Sequence, residues 1–259
     1  MSKLRLIVFD EETSPQKGFF FGGIWETNIV GEITWETIVM ISYWDSTTKK
    51  VKNIAQWDFP DWRKGVWNDK SVVKHFRKIL IDGNYDIIAG QNSDQFDIKL
   101  FNARLAFWGF DPLPDYKTFD TKKIAKSKIR LPSYSLDVMA KFFGLGGKYH
   151  HSGLDMWFGS RDGNKKDQKE MTKYCNIDIL RTKDVLYKLL PFVKWTGDFV
   201  NKESITCPNP LCLSKHMIKN KRRIMRGGYK IQYQCQDCGS YWTDPKMVKN
   251  EQTVKTTNK

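Results

Sequence analysis

Asp10 and Glu12 stand two residues apart, just past the largely apolar run Leu4-Arg5-Leu6-Ile7-Val8-Phe9. If that run is a strand continuing beyond Phe9, its alternation projects both carboxylates from one face, where they could hold a divalent ion. Another acid, Asp97, follows Asn92-Ser93-Asp94-Gln95-Phe96 and falls in the first turn of a helix-like stretch. Tyr174 and Asp178 lie four residues apart in a long helical pattern, which stacks a phenol and a carboxylate a turn apart on one face. Such a pair can orient a water beside a metal. Taken singly, each group has a plainer reading: a solvated turn at 10–12, a carboxylate complementing a helix dipole at 97, a packed aromatic and a surface acid at 174 and 178.

Cysteines supply a second chemistry. Cys207-Pro-Asn-Pro-Leu-Cys212 and Cys235-Gln-Asp-Cys238-Gly239 form two close pairs with 22 residues between them. Two such knuckles converge on one tetrahedral ion, and zinc is the expected occupant. Four thiolates fill the coordination sphere, so this zinc is structural and His216 is surplus to it. Cys175 stands apart and reads as a small buried side chain. Tyr229 to Gln234 alternates as a strand leading into the second knuckle, and Ser240-Tyr241-Trp242 leaves it. Lys215, Lys219, Lys221, Arg222, Arg223 and Arg226 lie between the pairs, in what reads as a basic loop suited to phosphates or merely to solvent.

These groups need elements to place them. Residues 4–9 read as a buried strand, and 35–44 and 51–57 as two more joined by a polar turn, together an antiparallel meander. A helix from Ser71 to about Leu80 precedes a buried strand at 85–89 ending at Gly90. Helices follow over 96–108, over 135–143 with Ser135 as N-cap, and over about 166–190, stopped by Pro191. Strands first and helix-crossed strands after predict an α/β fold with a mixed sheet. The expected division is 1–197, then a zinc-bearing module at 198–248, then a disordered tail at 249–259. From Asp198 onward there are 12 Lys or Arg against 5 Asp or Glu, half of the chain's net excess of +14.

In order and spacing, Phe9-Asp10-Glu11-Glu12-Thr13-Ser14-Pro15, Asn92 with Phe96-Asp97, and Tyr174 with Asp178 resemble the three motifs of the four-carboxylate, tyrosine-type (DEDDy) 3′→5′ exonucleases. Ser133-Tyr134-Ser135-Leu136-Asp137-Val138-Met139-Ala140-Lys141 is also similar to the proofreading domain of B-family DNA polymerases. The likeness covers about residues 4–190. It implies a ribonuclease-H-like sheet flanked by helices, and a free-standing nuclease, since 259 residues leave no room for polymerase domains. It implies two Mg²⁺ or Mn²⁺ ions: Asp10, Glu12 and Asp178 on the one that activates water, Asp10 bridging to the second, and Asp97 supporting that one through water. Tyr174 would orient the nucleophile, where histidine-type relatives use a histidine, so His150 and His151 are read as surface residues. Thr13, Asn92 and Phe96 are the expected contacts to the terminal nucleotide. Glu11 is expected to point away and matter little.

Composition agrees with such a partner. A chain of 259 residues, 40% hydrophobic and 14% aromatic, can bury a sizeable core and add a small appendage. A net charge of +14 favours a polyanion, and single-stranded nucleic acid, DNA before RNA, is the expected partner, with a polymerase or other replication protein as a further one. No long apolar run suggests a membrane span. The N-terminus does not read as a secretory signal, which gives a cytoplasmic expectation, host cytoplasm for a viral or phage replication gene. Competing expectations are a 3′→5′ exoribonuclease, a structure-directed endonuclease, and a nonhydrolysing nucleic-acid-binding replication protein.

Overall fold

The computed structural model describes residues 5–16, 19–20, 29–30, 35–147, 149, 151–193, 205–209 and 212–249. The expected disordered tail therefore lies, apart from Lys249, outside the described residues, as does His150. The chain divides into two compact units, one of Arg5–Leu186 and one of Tyr187–Lys259 with Met1–Leu4.

The larger unit is built on a five-stranded sheet. Its strands are β1 (Leu6–Thr13), β4 (Ile38–Asp45), β5 (Lys50–Ala55), β6 (Ile87–Gly90) and β7 (Lys117–Asp120), in the order β5-β4-β1-β6-β7. Two short strands, β2 (Phe19–Phe20) and β3 (Ile29–Val30), pair antiparallel between β1 and β4 in the chain. β1, β4 and β5 form the expected antiparallel meander, while β6 and β7 run parallel to β1, which makes the sheet mixed. Every residue of β4 is buried, as expected for a strand covered on both faces.

Among the described residues, six α-helices accompany the sheet: α1 (Lys70–Gly83), α2 (Asp97–Phe107), α3 (Thr121–Lys128), α4 (Leu136–Phe142), α5 (Leu154–Arg161) and α6 (Lys165–Leu189). On one face, Phe76 of α1 packs against Phe9, Tyr43 and Phe101, with ring centroids 5.3, 5.8 and 5.4 Å apart. On the other, Met156 of α5 and Met171 and Cys175 of α6 pack against Met40 and Ala55. Cys175 is thus the buried apolar filler its sequence context suggests. Ser135 caps α4 as expected, accepting the Val138 N–H at 3.4 Å. β7, α3 and α5 were not anticipated. β7 has only Thr118 and Phe119 to suggest a strand, and α3 is rich in lysine, so neither carries a clear apolar period.

A buried ion pair fixes the start of α1. Asp69, fully buried, accepts the Ile38 N–H at 2.9 Å, Arg104 Nε and Nη2 at 2.7 Å each, and Trp108 Nε1 at 2.7 Å. The carboxylate thereby joins α1, β4 and α2. Removing its cation strands a buried charge, so Arg104→Ala is expected to destabilise the fold by about 3–5 kcal/mol. Urea unfolding measures this, and a loss below about 1 kcal/mol would show that the pair is dispensable.

The smaller unit carries a three-stranded antiparallel sheet of β8 (Met217–Met225), β9 (Gly228–Cys235) and β10 (Tyr241–Lys249), in the order β10-β9-β8. The run expected to be a basic loop is instead mostly β8. Its pairing with β9 from Met217↔Cys235 to Met225↔Gly228 supplies an order that its scattered cations hid. The tight turn at Arg226-Gly227 has Gly227 at φ 83°, a conformation glycine accepts readily.

Candidate active site

Three stretches meet at one cleft of about 440 Å³ in the larger unit. β1 runs through Asp10 and Glu12, opposite Ser42 and Met40 of β4, so the two acids share a face as their spacing predicts. β6 ends at Gly90, where an added Cβ would fall 2.7 Å from the Ser93 Cβ and 2.9 Å from the Phe9 carbonyl oxygen. Only glycine fits, and the chain turns there so closely that Asp97 reaches β1. Asp97 Oδ1 accepts the Glu11 N–H at 3.1 Å, a buried bond that ties the second stretch to the first.

The turn between Gly90 and Asp97 has its own anchor. Buried Asp120, at the end of β7, accepts the Asn92 N–H at 3.1 Å, the Asp94 N–H at 3.3 Å and, as N-cap of α3, the Lys123 N–H at 3.1 Å. Asn92 itself adopts φ 63°, a left-handed conformation that asparagine tolerates. Phe96, 40% exposed, stands at the cleft immediately before α2. Sequence reading passed over Asp120, although an acid directly before a helix is an N-cap signal.

The third stretch is α6, whose turns bring Tyr174, Asp178 and Arg181 to the cleft. The His151 ring packs 4.8 Å from that of Tyr174, and Trp157 sits 6.5 Å from it. His151, read from the sequence as a surface residue, is half-buried against these rings. Its Nδ1 accepts the Gly153 N–H at 3.1 Å.

The electrostatics follow from crowding acids in one cleft. Burial, then the charges of Asp97, Glu12 and Asp178, hold the Asp10 carboxyl well above its ordinary range. Burial pushes Asp97 up to about 7, although hydrogen bonds from its own and the Glu11 N–H pull the other way. Tyr174 is raised by burial and by the charges of Glu12, Asp178 and Asp10, so the phenol keeps its proton at neutral pH. Glu11 is only 6% exposed, and neither of its carboxylate oxygens has a hydrogen-bond partner. Burial, then the charges of Asp97 and Asp10, hold its carboxyl well above the ordinary range, so the residue expected to point away and matter little is a buried acid that lines the cleft.

A pH dependence follows for protein kept in chelator. A carboxyl raised from 3.8 to about 7 contributes stability that is complete below 3.8 and is lost as pH rises through about 7. The metal-free protein is expected to melt lower at about pH 8 than at about pH 5, and Asp97→Asn to flatten that difference. Thermal melts of both proteins check this; an unchanged slope in the variant would contradict it.

All the acids singled out in the sequence, Asp10, Glu12, Asp97 and Asp178, line this cleft together with Tyr174, Asn92 and Phe96. Thr13, at the bulged end of β1, is not among the described residues lining it. Glu11, expected from the sequence to point away, also lines it, as do Gln91, Ser135, Leu136, Asp137 and Arg181, which sequence reading did not assign to a site.

In the smaller unit Cys207, Cys212, Cys235 and Cys238 bring their sulfurs within 4.8 Å of one another. Cys207 and Cys238 are 3.4 Å apart, and Cys212 and Cys235 3.7 Å, too long for disulfides. A tetrahedron with metal–sulfur bonds of about 2.3 Å has edges of about 3.8 Å, so the donor set fits one zinc-like ion. Asn209 Nδ2 donates to the Cys238 sulfur at 3.7 Å. Burial alone would raise the Cys238 thiol, but hydrogen bonding with Ser240 and with Cys207 and Cys212 brings it down to about 7. Among the described residues, this is the one set of three or more His, Cys, Asp or Glu side chains drawn to a single-ion spacing.

No protein-family model matches the chain, and no curated protein matches it. A solved structure does. The family B DNA polymerase from the hyperthermophilic archaeon Pyrobaculum calidifontis superposes with a TM-score of 0.54 at 18% identity, over 73% of this chain and 25% of that one. The chain therefore spans about a quarter of the polymerase's length, and at this identity the likeness establishes a shared fold. Among the described residues, no helix is long and apolar enough to cross a membrane.

Proposed function

We propose that the larger unit is a metal-dependent 3′→5′ exonuclease of the DEDDy type on a ribonuclease-H-like fold, acting on single-stranded DNA in replication or repair. One observation carries this reading: Asp10 and Glu12, Asp97, and Asp178, from three separate stretches of chain, line one cleft, and the other three all act on the ionisation of Asp10. Carboxyls that repel one another in this way favour cations, and their hard oxygen donors suit Mg²⁺ or Mn²⁺.

Asp10, Glu12 and Asp178 would hold one ion, with Asp10 shared with the second and Asp97 supporting that one through water. Such a pair supplies an acidified water, a neutralised phosphoryl oxygen and a stabilised leaving oxygen. The protein's own groups do the rest. Tyr174, which keeps its proton, orients the attacking water as a donor rather than removing its proton. Phe96, exposed at the cleft, offers its ring to an unpaired terminal base, and Asn92 offers a polar contact beside it. Thr13 is held as an outer contact, beyond the cleft wall.

The smaller unit serves as a zinc ribbon. Its four cysteines hold one structural zinc, and the cations of β8 strengthen the grip on the strand by neutralising phosphates.

The deciding experiment is a time course on single strands labelled at either end, as DNA and as RNA, with Mg²⁺, Mn²⁺ or chelator. Labelled mononucleotide is expected to leave the 3′-labelled DNA from the earliest times, while 5′-labelled DNA shortens stepwise, and chelator stops both. Cutting of a circular strand would instead indicate an endonuclease, a preference for RNA the exoribonuclease, and no release a binding protein.

A further inference from the structure

The cleft holds one cation that the reading above leaves without a task. Arg181 is the single Lys or Arg among the described residues lining it. It lies one turn beyond Asp178 and two beyond Tyr174 on α6, so helix geometry delivers all three to the same side. Its side chain is 18% exposed. Its Nε and Nη1 are both buried and neither has a hydrogen-bond partner. The nearest carboxylate oxygen, Asp178 Oδ1, is 3.9 Å from Nη1, close enough for attraction but too far for a hydrogen bond. The third nitrogen, Nη2, lies over Gly146, where an added Cβ would come within 3.7 Å of it.

Buried guanidinium donors without acceptors are uncommon, because the lost hydration is not repaid until something accepts them. We infer that Arg181 is a substrate-positioning residue that binds a non-bridging phosphate oxygen of the strand in the cleft. The inference rests on the nuclease reading for the identity of the strand. Under that reading the carboxylates face cations, which leaves the guanidinium to the other anion that enters, the phosphodiester backbone. Nε and Nη1 open on different sides of the planar guanidinium, so each N–H can donate along its own fixed direction to a phosphate oxygen, whereas an ammonium offers a point charge alone. A residue that merely balanced the acids would not leave two donors without acceptors.

Binding without hydrolysis tests this separately from catalysis. The full-length protein is titrated in Ca²⁺ with a 5′-labelled single strand, either unmodified or with one neutral methylphosphonate at each of the three linkages nearest the 3′ end. Arg181→Gln is expected to weaken binding of the unmodified strand by about tenfold, and Arg181→Lys by less. At one linkage the methylphosphonate should weaken the wild-type protein by a similar factor and leave Arg181→Gln unaffected. Additive losses at every linkage, or unchanged affinity in both variants, would overturn the inference, even if Mg²⁺-dependent release from the 3′ end is observed. If release is absent but the coupling at one linkage is present, the arginine contact stands and the nuclease reading falls. Should Arg181→Gln not fold, the same cycle with Arg181→Lys decides.

Discussion

Asp10→Ala is expected to lower the rate of 3′-end hydrolysis by about a thousandfold or more while leaving strand affinity within a fewfold of wild type. The size follows from the position. Asp10 is a carboxyl whose ionisation responds to Asp97, Glu12 and Asp178 together, so it feels the charge of every other acid of the cluster. Losing it removes the group proposed to face both ions, and several kcal/mol of charge stabilisation with it. Binding should survive, because phosphates and bases are gripped elsewhere, and deleting an acid lessens repulsion toward a polyanion. Single-turnover release of the 3′-terminal nucleotide, paired with anisotropy titration, reads both quantities. Near-normal hydrolysis in this variant would remove the cleft from the chemistry.

Cys235→Ser is expected to have the largest effect on the smaller unit. Within its sheet Cys235 and Trp242 are the buried apolar side chains, Cys207 adds one from outside it, and most of β8 is exposed. A core this thin cannot offset the entropy of ordering the chain, so the ion must supply the difference, and structural zinc is worth about 10–16 kcal/mol in small domains. The variant should lose one equivalent of zinc by elemental analysis and lose the β8–β10 sheet. It should also bind single strands more weakly and with a shallower salt dependence, as phosphate contacts disappear. Unchanged zinc content would refute the site. Retained zinc-free folding would show instead that the unit stands on its own packing.

The sequence made much of this legible, for identifiable reasons. The β1 acids and the α6 pair were visible because strand and helix periods convert spacing into facing, and the bulge in β1 falls only after Glu12. The meander was visible because β4 is apolar except at Ser42 and its last residue, Asp45. Asp69, Arg104 and Trp108 were not, since a buried ion pair between residues 35 apart leaves no local pattern, and charged side chains are read as surface by default. Asp120 and Arg181 escaped for a related reason: each acts through a turn or a cleft assembled from distant segments. β8 was hidden because an exposed edge strand rich in Lys and Arg lacks the alternation that marks a strand half-sunk in a core. Such cations also discourage unwanted pairing along an open edge.

The bond from the Glu11 amide to Asp97 bears on how the protein tolerates insertion and deletion. A shift of β1 by one residue against its neighbours would turn Asp10 and Glu12 inward, toward Phe76 and Phe101, and leave Glu11 alone to face α6. The donor that meets Asp97 would then belong to a different residue. Loss or gain of a single amino acid between Leu6 and Glu12 should therefore be far more damaging than most point changes there.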